Sequence, residues 1–263
     1  MEKAFTMQIG DVDFYAQQRG DHAEAVFLHG FGDDLSTWDR LWSAWEGELS
    51  ALRYDLRGFG QSTCKGEEPF SHGEDLLAIM DHCQIDRCDL YGVSMGGSVA
   101  LNFALDHPER VNRLILISPG IVAWEWSTEW SAMWRPILAL AQEGKMDQAR
   151  QLWWQHPLFA TTRESVAAEE LHDSIMRYSG KQWIRDNERA ALPDVDRLYR
   201  LNVPTLLLTG GCDVEEFRTI ASLIEAGAPG VTRVDLPGLG HLPHIEDAVL
   251  TASCIADFLI KIG

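Results

Sequence analysis

Residues 88–106 read Cys88-Asp89-Leu90-Tyr91-Gly92-Val93-Ser94-Met95-Gly96-Gly97-Ser98-Val99-Ala100-Leu101-Asn102-Phe103-Ala104-Leu105-Asp106, and Pro108 follows closely. Cys88–Tyr91 has the apolar character of a short buried strand. Met95–Asp106 is patterned as a helix that stops ahead of the proline. Between them, Gly92-Val93-Ser94-Met95-Gly96 matches the pattern G-x-S-x-G. A strand that turns at once into a helix leaves little room for side chains beside the serine, and a glycine on either side meets that demand. Ser94 is therefore expected to project above a sheet, its backbone at the N-terminal end of a helix.

Working outward, strand and helix patterns alternate in both directions. Ala4–Ile9 and Val12–Gln17 alternate in polarity and are joined by Gly10-Asp11, a hairpin signal. Ala25–Leu28 and Leu49–Tyr54 read as strands. Trp38, Leu41, Trp42 and Trp45 fall at i, i+3, i+4 and i+7, one face of a helix. Ser71 with Glu74 forms a capping box opening a helix through Cys83. Beyond the central motif, Arg113–Ser118, Pro204–Leu208 and Val231–Leu236 are strands, while Glu215–Ala226 and Glu246–Ile260 are helices. Strands alternating with helices imply an α/β fold, a mostly parallel sheet of eight strands with helices on both faces. From Ile121 to about Arg200 the pattern becomes helical and dense in tryptophan. This stretch, 121–200, is expected to be a helical cap inserted after the sixth strand, with 1–120 and 201–263 forming the core.

A serine hydroxyl is a weak nucleophile near neutral pH and needs a base. His241, in Gly238-Leu239-Gly240-His241, lies between the last strand and the last helix and fits that role. A carboxylate must hold such an imidazole in the right tautomer. Asp213 follows the Pro204–Leu208 strand in Thr209-Gly210-Gly211-Cys212-Asp213. Alternatives are His244 for the base and Glu215, Glu216 or Asp235 for the carboxylate. His241, His244 and Glu246 together have poor spacing for zinc, so no metal is expected. Two backbone N–H donors are needed for a developing oxyanion. Met95 supplies one, and Phe31 in the loop His29-Gly30-Phe31-Gly32 supplies the other. His29 is expected to brace that loop, and Asp33 and Asp34 to cap the next helix or face water. The tryptophans read two ways, as packing or as pocket wall. One or two of Trp124, Trp126, Trp130, Trp134, Trp153 and Trp154 are expected to contact substrate, favouring an apolar or aromatic group.

The 263 residues carry 22 Lys+Arg against 40 Asp+Glu, a net charge of −18, with 46% hydrophobic residues. That composition is globular and excludes disorder and fibrous repeats. The acidic balance, with no basic block, argues against a nucleic-acid partner. No apolar run approaches the length of a membrane span, and Met1–Gly10 does not read as a secretory signal. The five cysteines, scattered and without metal-ligand spacing, suggest reduced thiols and a cytoplasmic setting.

Four motifs together resemble the serine-dependent α/β-hydrolase superfamily over nearly the whole chain. They are His29-Gly30-Phe31-Gly32, Asp55-Leu56-Arg57-Gly58-Phe59-Gly60-Gln61-Ser62, Gly92-Val93-Ser94-Met95-Gly96-Gly97 and Gly240-His241-Leu242-Pro243. Within the superfamily the chain is similar to small esterases, enol-lactone hydrolases and cofactor-free haloperoxidases. The order Ser94…Asp213…His241 is the order of that superfamily. The resemblance implies those three residues as the triad, no cofactor, and a small ester or lactone as substrate of a monomer or homodimer. Epoxide hydrolases and haloalkane dehalogenases place Asp at the elbow, which Ser94 excludes. Carbon–carbon bond hydrolysis and perhydrolysis remain as other reactions of the same triad, and a slow-turnover ligand receptor as a different class. Val93 stands where the carbon–carbon hydrolases commonly carry Asn.

Overall fold

The computed structural model describes residues 2–262. Its strands are β1 (Glu2–Ile9), β2 (Val12–Arg19), β3 (Ala25–Leu28), β4 (Ala51–Tyr54), β5 (Thr63–Cys64), β6 (Cys88–Val93), β7 (Val111–Ile117), β8 (Thr205–Gly210) and β9 (Val231–Leu236). Among the described residues they form one sheet in the order β1-β2-β4-β3-β6-β7-β8-β9, with β5 pairing β2. The six strands from β4 to β9 along this order run parallel, and β2 is antiparallel to both β1 and β4. Gly10, at positive φ, and Asp11 turn the β1–β2 hairpin, whose register pairs Ile9 with Val12.

The helices are α1 (Asp39–Ala44), α2 (His72–His82), α3 (Met95–Asp106), α4 (Thr128–Gln142), α5 (Met146–Trp154), α6 (Ala160–Arg163), α7 (Ala168–Arg177), α8 (Lys181–Ile184), α9 (Glu215–Gly227), α10 (Pro243–Glu246) and α11 (Ala248–Ile262). Every residue of β3, β4, β6 and β8 is buried, as parallel strands covered on both faces require. The sheet's edges, β1 and β9, keep the exposed alternation. Among the described residues no helix is long and apolar enough to cross a membrane.

The sheet differs from the eight strands expected by one. The ninth, Thr63–Cys64, pairs only with Asp13 and Val12, and two residues are too few to leave a period in the sequence. The helical stretch 121–200 therefore follows the seventh strand in chain order. The aromatic face at 38–45 is split between a 3-10 turn at Leu35–Trp38 and α1, with Trp45 just past the helix end. The last helix breaks at Asp247, which sits outside helical geometry between α10 and α11. Only one half of the expected capping box forms. Ser71 Oγ accepts from the Glu74 amide at 3.4 Å, while the Glu74 carboxylate pairs with Arg189.

Between β7 and β8, helices α4 to α8 form an insertion tied to the rest by discrete polar contacts. Asn102 Nδ2 donates to Asp194 at 2.7 Å, Thr162 Oγ1 to Glu246 at 2.5 Å, and Trp124 Nε1 to Glu216 at 3.2 Å.

Candidate active site

Ser94 lies where β6 passes into α3, with φ 53° and ψ −116°. The local sequence explains how that turn closes. A Cβ on Gly92 would stand 2.3 Å from the Gly96 carbonyl oxygen, and one on Gly96 2.3 Å from that of Leu28. The turn is then fastened from the neighbouring strand. The Ser94 amide donates to Ile117 O at 3.0 Å, and its carbonyl accepts from the Ser98 and Gly120 amides at 3.0 and 2.9 Å. Although Ser94 occupies the N-cap position, its hydroxyl makes no capping bond. It is held out, partly accessible, in a cavity of about 580 Å³.

His241 reaches the same cavity from the loop between β9 and α10. Its Nδ1 donates to Asp213 Oδ2 at 2.9 Å, and Asp213 Oδ1 accepts from the Val214 amide at 2.7 Å. A carboxylate can only accept, so Nδ1 carries the proton of that bond, and Nε2 has no partner among the described residues. Both side chains are buried. The loops that carry them lie against each other. The Cys212 amide donates to Leu239 O at 2.8 Å, and a Cβ at Gly210 would collide with the Gly240 carbonyl. Glu246 closes the turn, accepting from the Gly240 amide at 2.5 Å. Phe217, on α9, packs on the His241 ring with centroids 4.2 Å apart.

The rival side chains are engaged elsewhere. His244 is fully buried, its Nε2 paired with Thr37 Oγ1 at 2.9 Å and its ring beside Trp38. Burial pushes its pKa down to about 3, which keeps it neutral. Glu216 holds Trp124 and the Ser127 amide, Asp235 pairs with Arg233, and Glu215 is exposed. Among the described residues His241, His244 and Glu246 do not form a group that could hold a metal ion.

Phe31 and Met95 flank Ser94 in the cavity wall. Among the described residues neither of their amides is taken by a protein acceptor, as expected at the open N-terminus of α3 for Met95. Gly30 packs against the serine, where a Cβ would stand 3.4 Å from Ser94 Cβ. His29 anchors this loop. Its Nδ1 donates to Gly30 O at 2.8 Å, and its Nε2 accepts from the Leu56 amide at 2.9 Å. Asp55 then fixes the 55–62 turn, accepting from the Leu35 and Gln61 amides at 2.8 and 2.7 Å.

The insertion supplies most of the remaining wall. Trp126, Trp130, Trp134 and Trp153 line the cavity. Trp124 and Trp154 do not. Trp124 is turned to Glu216, and Trp154 packs edge-on against His172, 5.2 Å between centroids. Trp183 and Phe217 also line the cavity and were missed by sequence reasoning. Phe217, four residues after Asp213 and opening a helix, was the findable one.

Asp34 caps the 3-10 turn, accepting from the Ser36 amide at 2.9 Å. Asp33 instead sits half-buried in the cavity wall, accepting from Ser174 Oγ at 2.5 Å and from the Asp34 amide at 2.9 Å. Burial, with the Asp34 charge beside it, pushes its carboxyl up to about 6.

Known proteins place this geometry in context. The chain is 26% identical over 201 residues to 3-oxoadipate enol-lactonase 2 of Acinetobacter baylyi, covering 74% of this chain and 73% of that protein. It is 27% identical over 250 residues to the pimeloyl-[acyl-carrier protein] methyl ester esterase of Aeromonas hydrophila, covering 86% and 91%. A crystal structure of a hydrolase from Pseudomonas aeruginosa superposes with TM-score 0.82 at 25% identity, covering 97% of this chain and 98% of that one. The family profile described as alpha/beta hydrolase fold matches residues 26–248. The chain belongs to the alpha/beta hydrolase family.

Proposed function

We propose that the protein is a serine hydrolase cleaving a carboxylic ester or lactone that bears an apolar or aromatic group, through an acyl-enzyme. One observation carries this reading. Ser94, its hydroxyl uncommitted, opens onto the same cavity as an imidazole already oriented by Asp213 at 2.9 Å. His241 Nε2 takes the Ser94 proton as Oγ attacks the carbonyl carbon. The tetrahedral oxyanion is held by the Phe31 and Met95 amides, donors fixed before the reaction begins. Asp213 stabilises the imidazolium and keeps its ring in register. The alcohol departs with the proton from His241, and water repeats the sequence to release the acid. Residues 121–200 act as a cap whose tryptophans form the apolar wall, and 1–120 with 201–263 form the core beneath it.

The test is steady-state hydrolysis of p-nitrophenyl esters from acetate to long-chain and aromatic acyl groups. Ser94→Ala is expected to fold normally and to lose on the order of 10⁶ in kcat, the scale on which a triad acts as a unit. Near wild-type turnover in that variant would overturn the assignment. A single burst without turnover would favour a ligand receptor instead, and inertness toward every ester would favour carbon–carbon bond cleavage.

A further inference from the structure

The cavity wall holds three side chains of chargeable type, Asp33, Arg135 and His241, besides the neutral Gln182, hydroxyls and indole N–H groups. Asp33 is held by Ser174, and Gln182 Oε1 accepts from the Tyr178 hydroxyl at 2.9 Å. Arg135, an exposed residue on the cavity's solvent side, is the single Lys or Arg in the wall, and among the described residues it has no hydrogen-bond or carboxylate partner. In this chain that is unusual. Carboxylates far outnumber cations, and most arginines, Arg40, Arg57 and Arg113 among them, are held by one. Arg135 is also placed by helical period. Ser131, Trp134, Arg135 and Leu138 lie at i, i+3, i+4 and i+7 of α4, and all four line the cavity. Ile137 and Ala141 of the same helix are buried away from it.

Resting on the serine-hydrolase reading, we infer that Arg135 binds a carboxylate on the substrate, remote from the bond cleaved. The substrate class is an ester or lactone whose apolar acyl part ends in an acid. A carboxylate entering a largely aromatic cavity loses hydration that no apolar wall restores, so it requires a partner there. A guanidinium supplies two parallel N–H donors matched to the two oxygens. A protein carrying −18 repels anions except where a cation stands unneutralised. Ser94 belongs to the core wall and Arg135 to the insertion wall, so the substrate spans the cavity between them. Arg135 thereby selects substrate and holds no role in proton transfer.

The inference is tested with matched esters, mono-p-nitrophenyl adipate and p-nitrophenyl hexanoate. The wild-type protein is expected to favour the acid by at least tenfold in kcat/KM, about 1.4 kcal/mol. Arg135→Gln is expected to bring the ratio close to one, through KM, and added salt to compress it. A ratio near one in the wild type, or one that survives in Arg135→Gln, would overturn the inference. A second measurement is independent of turnover. Tryptophan fluorescence of Ser94→Ala, titrated with monomethyl adipate and with methyl hexanoate, reads binding alone. Adding Arg135→Gln should weaken the first about tenfold, and equal weakening of both ligands, or of neither, counts against Arg135. If both nitrophenyl esters are inert but the binding difference holds, the ester-hydrolase reading fails and the anion site stands.

Discussion

The sheet and the insertion hold their shapes by different means. Strands β3, β6 and β8 bury every residue, and Phe27 at the centre touches Trp38, Trp42 and Tyr91. Helix α4, by contrast, buries only Trp130, Ile137 and Ala141 of its 15 residues. The insertion buries scattered side chains such as Trp153, Phe159 and Ile175 and adds polar ties at its margin, such as Asp194 to Asn102 and Glu170 to Arg40. Strands covered on both faces open only with the whole fold, whereas short helices with few buried residues and polar ties at the margin open locally. On the proposed reading, the part that performs chemistry and the part that selects substrate are thus built to different tolerances.

After the loss of the nucleophile itself, the largest expected effect lies in the carboxylate that orients the base. Asp213→Asn keeps the hydrogen-bonding shape but favours the wrong imidazole tautomer, and should reduce kcat about 10⁴-fold for every ester alike. Trp130→Ala in the wall should instead change the ranking of acyl groups. Activity profiles across the ester series decide between these patterns, and a ranking altered by Asp213→Asn would break the division proposed.

Acid should act on the two regions with opposite sign. Burial keeps His244 and His72 neutral, each with a pKa near 3 against an ordinary value of about 6.5. Their contribution is complete above pH ~6.5 and is lost as pH falls through that value, because the unfolded chain takes up protons that the fold refuses. Asp33 is displaced upward to about 6, so its contribution is present at low pH and is lost as pH rises through ~6. Hydrogen exchange between pH 7 and 5 should therefore show global stability falling while α7, tied to Asp33 through Ser174, opens less readily relative to it. Asp33→Asn should remove the second trend and leave the first.

The smallest effect belongs to the rim. The Arg40–Glu170 pair, at 2.6 Å but with Glu170 largely exposed, should contribute about 0.2–1 kcal/mol. Glu170→Gln should shift the urea midpoint only slightly at low salt and not measurably at high salt. A larger shift would mean that the insertion depends on this contact more than the comparison allows.

This contrast also explains what was legible in the sequence. Ala25–Leu28 and Cys88–Tyr91 announce themselves as apolar runs because the sheet is covered on both faces. The turn at Ser94 is legible because its glycines answer a steric demand within five residues. The wall was harder, since aromatic side chains at helical spacing serve packing and pocket equally. Nothing local separates Trp126, which lines the cavity, from Trp124, which Glu216 turns away from it. Asp33 was misjudged for a related reason, because its partner Ser174 lies 141 residues distant. Arg135 carries no signature until the helix is wrapped and its neighbours are known.

The backbone at Ser94 bears on the stability of the chain. A φ of 53° with ψ −116° is a conformation that glycine adopts freely and serine does not, and such positions carry on the order of 1–3 kcal/mol of strain. Ser94→Gly would release that strain, so the variant is expected to be more stable in urea than the protein itself while losing its hydroxyl. The fold thus holds its reactive hydroxyl at a turn where any side chain is a burden to it.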